Sequence, residues 1–505
     1  MNRKNRRIAL KSASKNAGDH MNLLQMVAVN FKDGRIKDAL ELCRRGATEF
    51  SENYSVLYDL SSLIIHFGYY AESVPLLRRV VATNSDNVDA LTNLATALRV
   101  SGHVGESIEV LRRKIALSPS SVSQVNLSAM LFDTGDIWGA VQAAQVGCEL
   151  DPGNHNAFYN LGNALVELGR FQEAFNAFIK AIEIKPDFAD SYFRVGQLQL
   201  LNGIFPDGWR NYEWRWRLKE YEWGKIFAAR RWAGESLLGK SLLVFAEQGL
   251  GDTIQFSRFL RGERFQGCNV IFSVQERILR LISSVWPNVI PITAPQPACD
   301  YCVPLLSIPG IVCSSFDDIP REGRYIFPEP QLIEKWKQVL CRKPGLRVGI
   351  SWQGRPGTEI DRGRSVPLAM FSALRDVSGV RFISLQKFAG AEQLCSNDAC
   401  GFIEKIEEDF DVGADAFIDT AAIMANLDLV ITTDTAIAHL AGAVGCPTWI
   451  LLKHIPDWRW QLGSRETLWY PGARLFRQSA MGNWEGVFSD VRDQIGRFVA
   501  EKTGS

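Results

Sequence analysis

The repeat that decides the fold of this chain reads FYNLGNALVELGRFQEAFNAFIKAIEIKP, from Phe158 to Pro186. Gly169 ends one amphipathic helix and makes the turn, Ala174 is small enough for a second helix to approach closely, and Pro186 closes the hairpin. Glycines recur at intervals of 33 or 34 residues, at Gly34, Gly68, Gly102, Gly135, Gly169 and Gly203. The chain therefore begins with a helical hairpin that repeats about every 34 residues.

A period of about 34 residues with these turn positions is the signature of the tetratricopeptide repeat. Because one hairpin cannot bury its own apolar face, about six hairpins should stack over residues 20–220 into an all-α solenoid. Such an array predicts a protein partner, and a purely structural platform is the alternative. The small residue five positions after each glycine is Ala39, Ser73, Ser107, Ala140 or Ala174.

Composition and charge exclude several classes of protein. Lys and Arg number 56, as do Asp and Glu, so the formal net charge is zero and nucleic-acid binding is disfavoured. No run of eighteen apolar residues predicts a transmembrane segment. Residues 1–19 are basic and lack the apolar stretch of a secretory signal, so we interpret them as a flexible tail. We interpret the ten cysteines as reduced thiols, which favours a cytoplasmic protein.

The last repeat departs from the pattern. Its segment GWRNYEWRWRLKEYEWGKIFAARRW, residues 208–232, is dense in tryptophan and arginine. Such side chains can stack on nucleic-acid bases, or they can cover the joint between two domains. We favour the joint, with residues 221–240 as its connector.

From Ser241 onward, short apolar runs alternate with helical patterns. The predicted rhythm is strand, helix, strand, which indicates parallel sheets covered on both faces. We expect two Rossmann-like lobes, residues 241–340 and 341–505, with ligands bound at the carboxyl ends of the strands. Residues 287–344 are predicted to contain little regular structure apart from a helix near 331–340. The predicted strands are 241–246, 269–274, 346–352, 380–385, 427–432 and 447–452.

The first candidate site motif is EQGLGD, residues 247–252, directly after the opening strand. Gly249 and Gly251 permit a tight turn, and Asp252 stands at the start of a helix. Asp252 is either a helix cap or a general base that faces the cleft, and the spacing leaves both interpretations open. The G-x-G-x-x-G fingerprint is absent, which disfavours a dinucleotide-dependent dehydrogenase.

The second motif, TTDTAIAHLAGA, runs from Thr432 into the start of a helix. The free N–H groups and the dipole of a helix amino end make an anion site. Asp434, Thr435 and Ala436 stand at that end, and His439 follows one turn later. We predict that these residues bind an anionic ligand.

The third group supplies positive charge without a metal ion. Arg355, Arg362 and Arg364 lie in one segment, and Gln386 and Lys387 follow a predicted strand. Such groups neutralise a departing diphosphate. The one D-x-D pair, Asp409 and Asp411, can hold a divalent ion. We interpret that pair as a solvated face, so neither a metal nor another cofactor is expected.

These motifs together resemble a family of bacterial proteins that join tetratricopeptide repeats to a heptosyltransferase-like, family 9-like glycosyltransferase domain. The resemblance covers nearly the whole chain, because its blocks fall in the same order. Those blocks are YEWRW (212–216), EQGLGDTIQF (247–256), the segment 352–368, SLQK (384–387), DTAAI (419–423), DTAIAHLAGA (434–443) and PDWRW (456–460).

The resemblance implies a two-lobed GT-B fold whose second lobe binds a nucleotide-sugar without a metal ion. Asp252 matches the base that activates the acceptor hydroxyl, and Thr435 and His439 match the helix start that cradles the donor diphosphate. Arg364 and Lys387 are the candidates for further phosphate contacts. The expected function is an inverting, metal-independent glycosyltransferase whose acceptor is a protein or a glycan. The alternative is a non-catalytic repeat scaffold with a silent transferase-like domain.

Overall fold

The computed structural model describes residues 20–218, 229–321, 323–357, 361–396 and 401–503. The chain divides into two compact units, with the boundary between Ser191 and Tyr192. The predicted tail, residues 1–19, and part of the predicted connector lie outside the described residues.

The first unit is an all-α solenoid of paired helices, as the repeat period predicts. The turn glycine of each pair has a left-handed φ, between +71° and +88°, which a residue with a Cβ rarely adopts. The helices are α1 (20–32), α2 (Ile36–Glu49), α3 (Tyr54–His66), α4 (Tyr70–Thr83), α5 (Val88–Val100), α6 (Val104–Leu117), α7 (Ser121–Thr134), α8 (Ile137–Leu150), α9 (His155–Glu167) and α10 (Phe171–Ile184).

Two kinds of residue shape each hairpin. The small residue five positions after the glycine is fully buried in all five repeats, as close packing of the paired helices requires. Polar side chains cap several amino ends: Asn53 accepts a hydrogen bond from the Val56 N–H and Asn87 from the Ala90 N–H. Local sequence therefore specifies both the packing and the helix ends.

The sixth hairpin consists of α11 (Ala189–Leu201) and α12 (Phe205–Tyr212), and nearly all of it belongs to the second unit. The two helices touch closely, because a Cβ on Gly196 would lie 2.6 Å from the Tyr212 nitrogen. A 3₁₀ turn, Glu213–Arg217, follows directly.

The first sheet has five parallel strands in the order β1-β5-β2-β3-β4. The prediction of little regular structure over residues 287–344 was wrong, because β5 pairs with β2 in the middle of this sheet. The strands are β1 (Arg230–Arg231), β2 (Ser241–Phe245), β3 (Asn269–Val274), β4 (Val289–Pro291) and β5 (Tyr301–Pro304), and the helices are α13 (Leu250–Ser257), α14 (Leu279–Ser283), α15 (Ile308–Val312) and α16 (Pro330–Leu340).

The second sheet has six parallel strands in the order β11-β10-β9-β6-β7-β8. The order reverses between β6 and β9, and ligands of such sheets bind beside that switch point, beyond the strand carboxyl ends. The elements are β6 (Leu346–Ser351), β7 (Val380–Ser384), α17 (Gln393–Ser396), β8 (Ile403–Glu404), α18 (Ile418–Met424), β9 (Leu429–Thr433), α19 (Ala436–Val444), β10 (Thr448–Leu452), β11 (Ala473–Arg477) and α20 (Trp484–Thr503).

Apolar side chains of the central strands form the core of this sheet. Ile350, Ile431 and Leu451, from three strands, are fully buried in one cluster with Val491 and Ile495 of α20. This burial holds the carboxyl ends of β6 and β9 side by side. Among the described helices, none is long and apolar enough to cross a lipid bilayer.

Candidate functional site

The turn after β2 carries Asp252 in the first turn of α13. Its Oδ2 accepts a hydrogen bond from the Gly249 N–H at 2.9 Å, so the side chain does cap the helix. Its Oδ1 accepts a second bond, from Arg459 of the second lobe. The carboxylate therefore joins the two sheets, and the cap occupies only one of its oxygens.

Arg459 lies in a 3₁₀ turn after β10 and is almost wholly buried, with 8% of its side chain exposed. Its Nη2 lies 2.5 Å from Asp252 Oδ1, its Nη1 lies 2.8 Å from Asp457 Oδ1, and its Nε donates to Gln255. The sequence offered Arg459 only as part of the PDWRW block. Its partner stands 207 positions earlier, and neither spacing nor periodicity links the two.

The charge state of Asp252 depends on two opposed effects. Burial raises its pKa above the usual value, while the Arg459 guanidinium and the Gly249 N–H lower it. Burial is the larger effect, so the carboxylate is more basic than a solvated one. A raised pKa suits a group that must accept a proton.

Thr435, the N-cap residue of α19, makes no side-chain capping bond to the helix. Its hydroxyl donates to the Thr433 carbonyl at 3.4 Å. This differs from α3 and α5, where asparagine side chains cap the first N–H groups. The buried Thr433 Oγ1 also has no hydrogen-bond partner among the described residues. Free donors at a helix amino end suit an anionic ligand.

His439 lies one turn into α19 and is buried. Its ring stacks on Trp460, with centroids 5.5 Å apart, and its Nδ1 lies 2.9 Å from the Tyr470 hydroxyl. Burial, and then the charge of Arg459, hold the pKa of His439 well below its usual value. The imidazole is therefore neutral at neutral pH and offers one N–H donor.

The turn after β2 meets the amino end of α19 directly. A Cβ on Gly251 would lie 3.0 Å from His439 Cδ2 and 3.1 Å from Ala436 Cα. A Cβ at this position would require its neighbours to shift by a few tenths of an ångström. Two motifs about 185 positions apart in the sequence are thus brought together at one junction.

Asp434 and Arg364 lie at the switch point, on the segments that follow β9 and β6. Burial raises the pKa of Asp434 to about 6, the nearby Asp457 adds to that rise, and Arg364 opposes it. Arg364 Nε has no hydrogen-bond partner among the described residues and lies 3.7 Å from Asp361 Oδ1. The predicted cation therefore stands at this anion-competent end of α19.

The sequence predicted that Gln386 and Lys387 contact a ligand, but both side chains already make hydrogen bonds within the protein. Gln386 Oε1 accepts bonds from the Trp352 and Gln353 N–H groups, and its Nε2 donates to two backbone carbonyls. Lys387 Nζ donates to the carbonyls of Phe410 and Asp411. Both side chains thus hold together the loops around the switch point.

The interpretation of the D-x-D pair as a solvated face was wrong for Asp411. Its Oδ1 accepts hydrogen bonds from the Asp419 and Thr420 N–H groups, at 2.7 and 3.3 Å, so it caps α18. Burial raises the pKa of Asp411 despite these bonds. Asp409 is exposed. Within the described ranges, no group of three or more His, Cys, Asp or Glu side chains is arranged to hold a metal ion.

The aromatic segment of the sixth hairpin forms a joint within the second unit. The Trp209 ring meets the Trp458 ring edge-on at 5.2 Å, and Trp214 stacks on Tyr192 at 3.8 Å. Trp209 is buried, so it offers no face to a nucleic-acid base. The interpretation as a joint holds for these residues, and Trp223 lies outside the described residues.

A cavity of about 420 Å³ lies at the other end of α19. Arg324, Cys446 and Tyr470 are among its lining residues. It opens at the amino edge of the second sheet, whereas the candidate site lies at the carboxyl edge. The chemistry described above therefore does not depend on this cavity.

A family model and two relatives match parts of the chain. A model described as the TPR repeat matches residues 162–203. Protein FlbA of Caulobacter vibrioides is 26% identical over 402 residues, which is 74% of this chain and 67% of that protein. Superkiller complex protein 3 of Mus musculus is 30% identical over 140 residues, which is 26% of this chain and 8% of that protein.

Solved structures that are similar to part of the chain include the MamA protein and YrrB. The MamA protein is 21% identical with a TM-score of 0.32, over 35% of this chain and 98% of that one. YrrB, titled a TPR protein with an unusual peptide-binding site, is 20% identical with a TM-score of 0.31, over 36% of this chain and 94% of that one. The chain thus contains a TPR repeat over residues 162–203, and its second part contains parallel sheets.

Proposed function

We propose that the second unit is an inverting, metal-independent glycosyltransferase of the GT-B type, acting in the cytoplasm. It would move a sugar from a nucleotide-sugar to a hydroxyl acceptor. The observation that supports this most is the junction at Gly251, where the Asp252 turn lies against the amino end of α19. A base and an anion site must be neighbours for this reaction, because both act on one anomeric carbon.

The donor side of the proposal rests on the switch point. The uncapped N–H groups of α19 and the guanidinium of Arg364 would bind the two phosphates of the donor. The neutral His439 would add one N–H donor. These groups stabilise the negative charge that grows on the diphosphate as it leaves.

The proposed step moves one proton and exchanges one bond. The acceptor oxygen attacks the anomeric carbon from the face opposite the diphosphate, while the bond from that carbon to the phosphate oxygen breaks. The hydroxyl proton passes to Asp252, and the nucleoside diphosphate departs. Burial raises the pKa of Asp252, which favours this transfer.

The repeat array would hold a protein partner or the acceptor itself. Stacked helical hairpins expose extended surfaces that bind polypeptides. In the first unit, an open groove between α1 and α3 is lined by Leu24, Tyr58, Ser62 and His66, among others. Its mixture of apolar and hydroxyl groups suits a polypeptide segment.

One observation favours the alternative, a silent transferase-like scaffold. Both oxygens of Asp252 accept hydrogen bonds, from Gly249 and from Arg459. A carboxylate held in this way can serve as a folding element alone. Each oxygen nevertheless keeps a second lone pair, so a proton can still be accepted.

The test measures binding and transfer separately. Wild-type protein is screened by thermal shift against UDP-, GDP-, ADP- and dTDP-linked sugars, and the donor that binds is then assayed for hydrolysis and transfer. Asp252→Asn should keep the thermal shift and lose at least 100-fold in kcat, because the amide cannot accept the proton. Asp318→Asn is the matched control, since Asp318 also caps a short helix of the first lobe but is exposed.

The outcomes separate the two functions. Binding with transfer that depends on Asp252 supports the enzyme. Binding without hydrolysis or transfer supports the silent scaffold. A wild-type protein that binds none of these nucleotide-sugars contradicts the proposed function altogether.

A further inference from the structure

A fully buried arginine in the turn after the sixth hairpin binds the end of the strand that leads to Asp252. Arg215, in the 3₁₀ turn after α12, has no exposed surface. Its Nε and Nη2 bind the two oxygens of Glu247 at 2.9 and 2.8 Å, in the bidentate geometry that fixes both partners. Nη1 donates to Glu213 and to the Tyr212 carbonyl. Every edge of the guanidinium is therefore engaged.

Glu247 extends this contact to the backbone of the first lobe. Its side chain is also fully buried, and its Oε1 accepts a further bond from the Leu306 N–H at 3.1 Å. Glu247 lies two residues after the end of β2, so the ion pair fixes the point at which the chain leaves the sheet. Removing one partner would leave the other as an unpaired buried charge, which destabilises the folded state.

The next residue is strained. Gln248 has a φ of +61°, a conformation that costs a non-glycine residue roughly 1 kcal/mol or more. Its Nε2 donates to the Tyr212 hydroxyl, and its carbonyl accepts from Gln275. Strain of this kind persists only where the surroundings determine the backbone. The 3₁₀ turn and α12 supply those surroundings through Arg215 and Tyr212.

One further residue, Gly249, connects this turn to the carboxylate of Asp252. Gly249 follows Gln248, and its N–H bonds to Asp252 Oδ2. The direction of that N–H is set by the Gln248 backbone. A change at Arg215 would thus alter where the carboxylate of Asp252 stands, although the two side chains share no contact that carries this effect.

We infer that Arg215 is a positioning residue for catalysis: it holds the turn from Glu247 to Asp252 so that the carboxylate faces the reacting centre. This inference rests on the proposed function, because it assigns Arg215 a role in that reaction. It also makes a separate statement about the turn itself, which can be measured in an inactive protein.

The test uses two variants of the full chain. Arg215→Lys keeps the charge and loses the fork. The double variant Arg215→Met, Glu247→Gln removes both charges together and keeps an acceptor for the Leu306 N–H, so neither partner of the pair is left as an unpaired charge. Arg347→Lys is the control, because Arg347 makes a similar forked pair with Asp428 at the amino edge of the second sheet.

Three readouts distinguish positioning from general damage. We expect kcat to fall at least 10-fold in the double variant and less in Arg215→Lys, with the donor KM within twofold of wild type. The donor-induced thermal shift should be unchanged, because the donor site lies on the second lobe. Amide hydrogen exchange should accelerate over residues 247–252 in both variants and not in the control.

Each outcome decides the inference. Unchanged kcat in a folded variant overturns it, as does a fall in kcat that is matched by an equal loss of the donor-induced shift. If the double variant does not fold, Arg215→Lys gives the answer with the same readouts. If wild type proves inactive, the proposed function fails, and hydrogen exchange alone decides: unchanged exchange at 247–252 overturns the inference about the turn.

Discussion

At the scale of residues, the junction between the two sheets concentrates charge in a buried place. Asp252, Asp434 and Asp457 lie close to Arg364 and Arg459. The charge of Arg459 lowers the pKa values of Asp252 and Asp434, and that of Arg364 lowers the pKa of Asp434. Arg459 binds both Asp252 and Asp457 directly. Burial, and then the charge of Asp457, raise the pKa of Asp434 to about 6.

The raised pKa of Asp434 predicts how stability depends on pH. The native state keeps a proton that the unfolded chain loses near pH 4, so the contribution to stability is full below about pH 4. It is lost as pH rises through 6, by at most about 3 kcal/mol. We expect Asp434→Asn to be increasingly more stable than wild type between pH 4 and 7, as measured by urea unfolding. Asp317→Asn is the control, because 90% of that side chain is exposed. A constant difference across this range would contradict the assignment.

At the scale of elements, the contact of α13 with α19 depends on one missing side chain. Gly251 lies within α13 and has an ordinary helical conformation, so alanine there would favour the helix itself by up to about 1 kcal/mol. The added Cβ would however stand 3.0 Å from His439 and 3.1 Å from the Ala436 backbone. Helix propensity would therefore raise the free energy of unfolding of Gly251→Ala, and the close contact of the Cβ would lower it.

We predict that Gly251→Ala lowers the free energy of unfolding by about 1–3 kcal/mol, because the two helix ends must move apart. Transfer activity should fall with it, since the base and the anion site separate. Gly496→Ala in α20 is the matched control, because a Cβ there meets nothing within 4 Å. The prediction fails if Gly251→Ala is as stable as the control protein.

The elements that could be predicted from sequence are those with long apolar runs. The predicted strand 269–274 coincides with β3, and 346–352 differs from β6 by one residue. β4 and β5 were missed because they are three and four residues long and end in proline, too short for periodicity to register. β1 is two exposed arginines, which no strand pattern includes.

The residues of the candidate site also include some that the sequence could predict and some that it could not. Asp252 and His439 could be found because each sits in a local motif at a strand end. Arg459 and Arg215 could not, since each acts through a partner that only folding brings near. Arg215 and Glu247 are separated by 32 positions and joined by two hydrogen bonds, and no local propensity encodes such a pair. Long-range ion pairs are therefore the part of the site that only the three-dimensional structure reveals.

At the scale of the whole molecule, the division into two units predicts how a ligand acts on stability. Heating should give separable transitions for the repeats and for the sheets. A nucleotide-sugar at 100 times its Kd should stabilise the second unit by about 2.7 kcal/mol and leave the first unchanged. Scanning calorimetry with and without the donor measures this, with the free sugar as control. A shift in the repeat transition alone would place the ligand in the wrong unit.

The boundary at Ser191 also bears on how such a chain can vary over evolutionary time. The hairpins before it obey one repeating rule, in which each glycine turn and each small residue serves only its neighbours. Whole repeats can therefore be duplicated or deleted there as interchangeable copies. The sixth hairpin has no such freedom, because Arg215 and Trp209 are committed to partners in the sheet-bearing unit. Related chains should differ in the number of repeats before α11, and they should retain the helix pair α11 and α12.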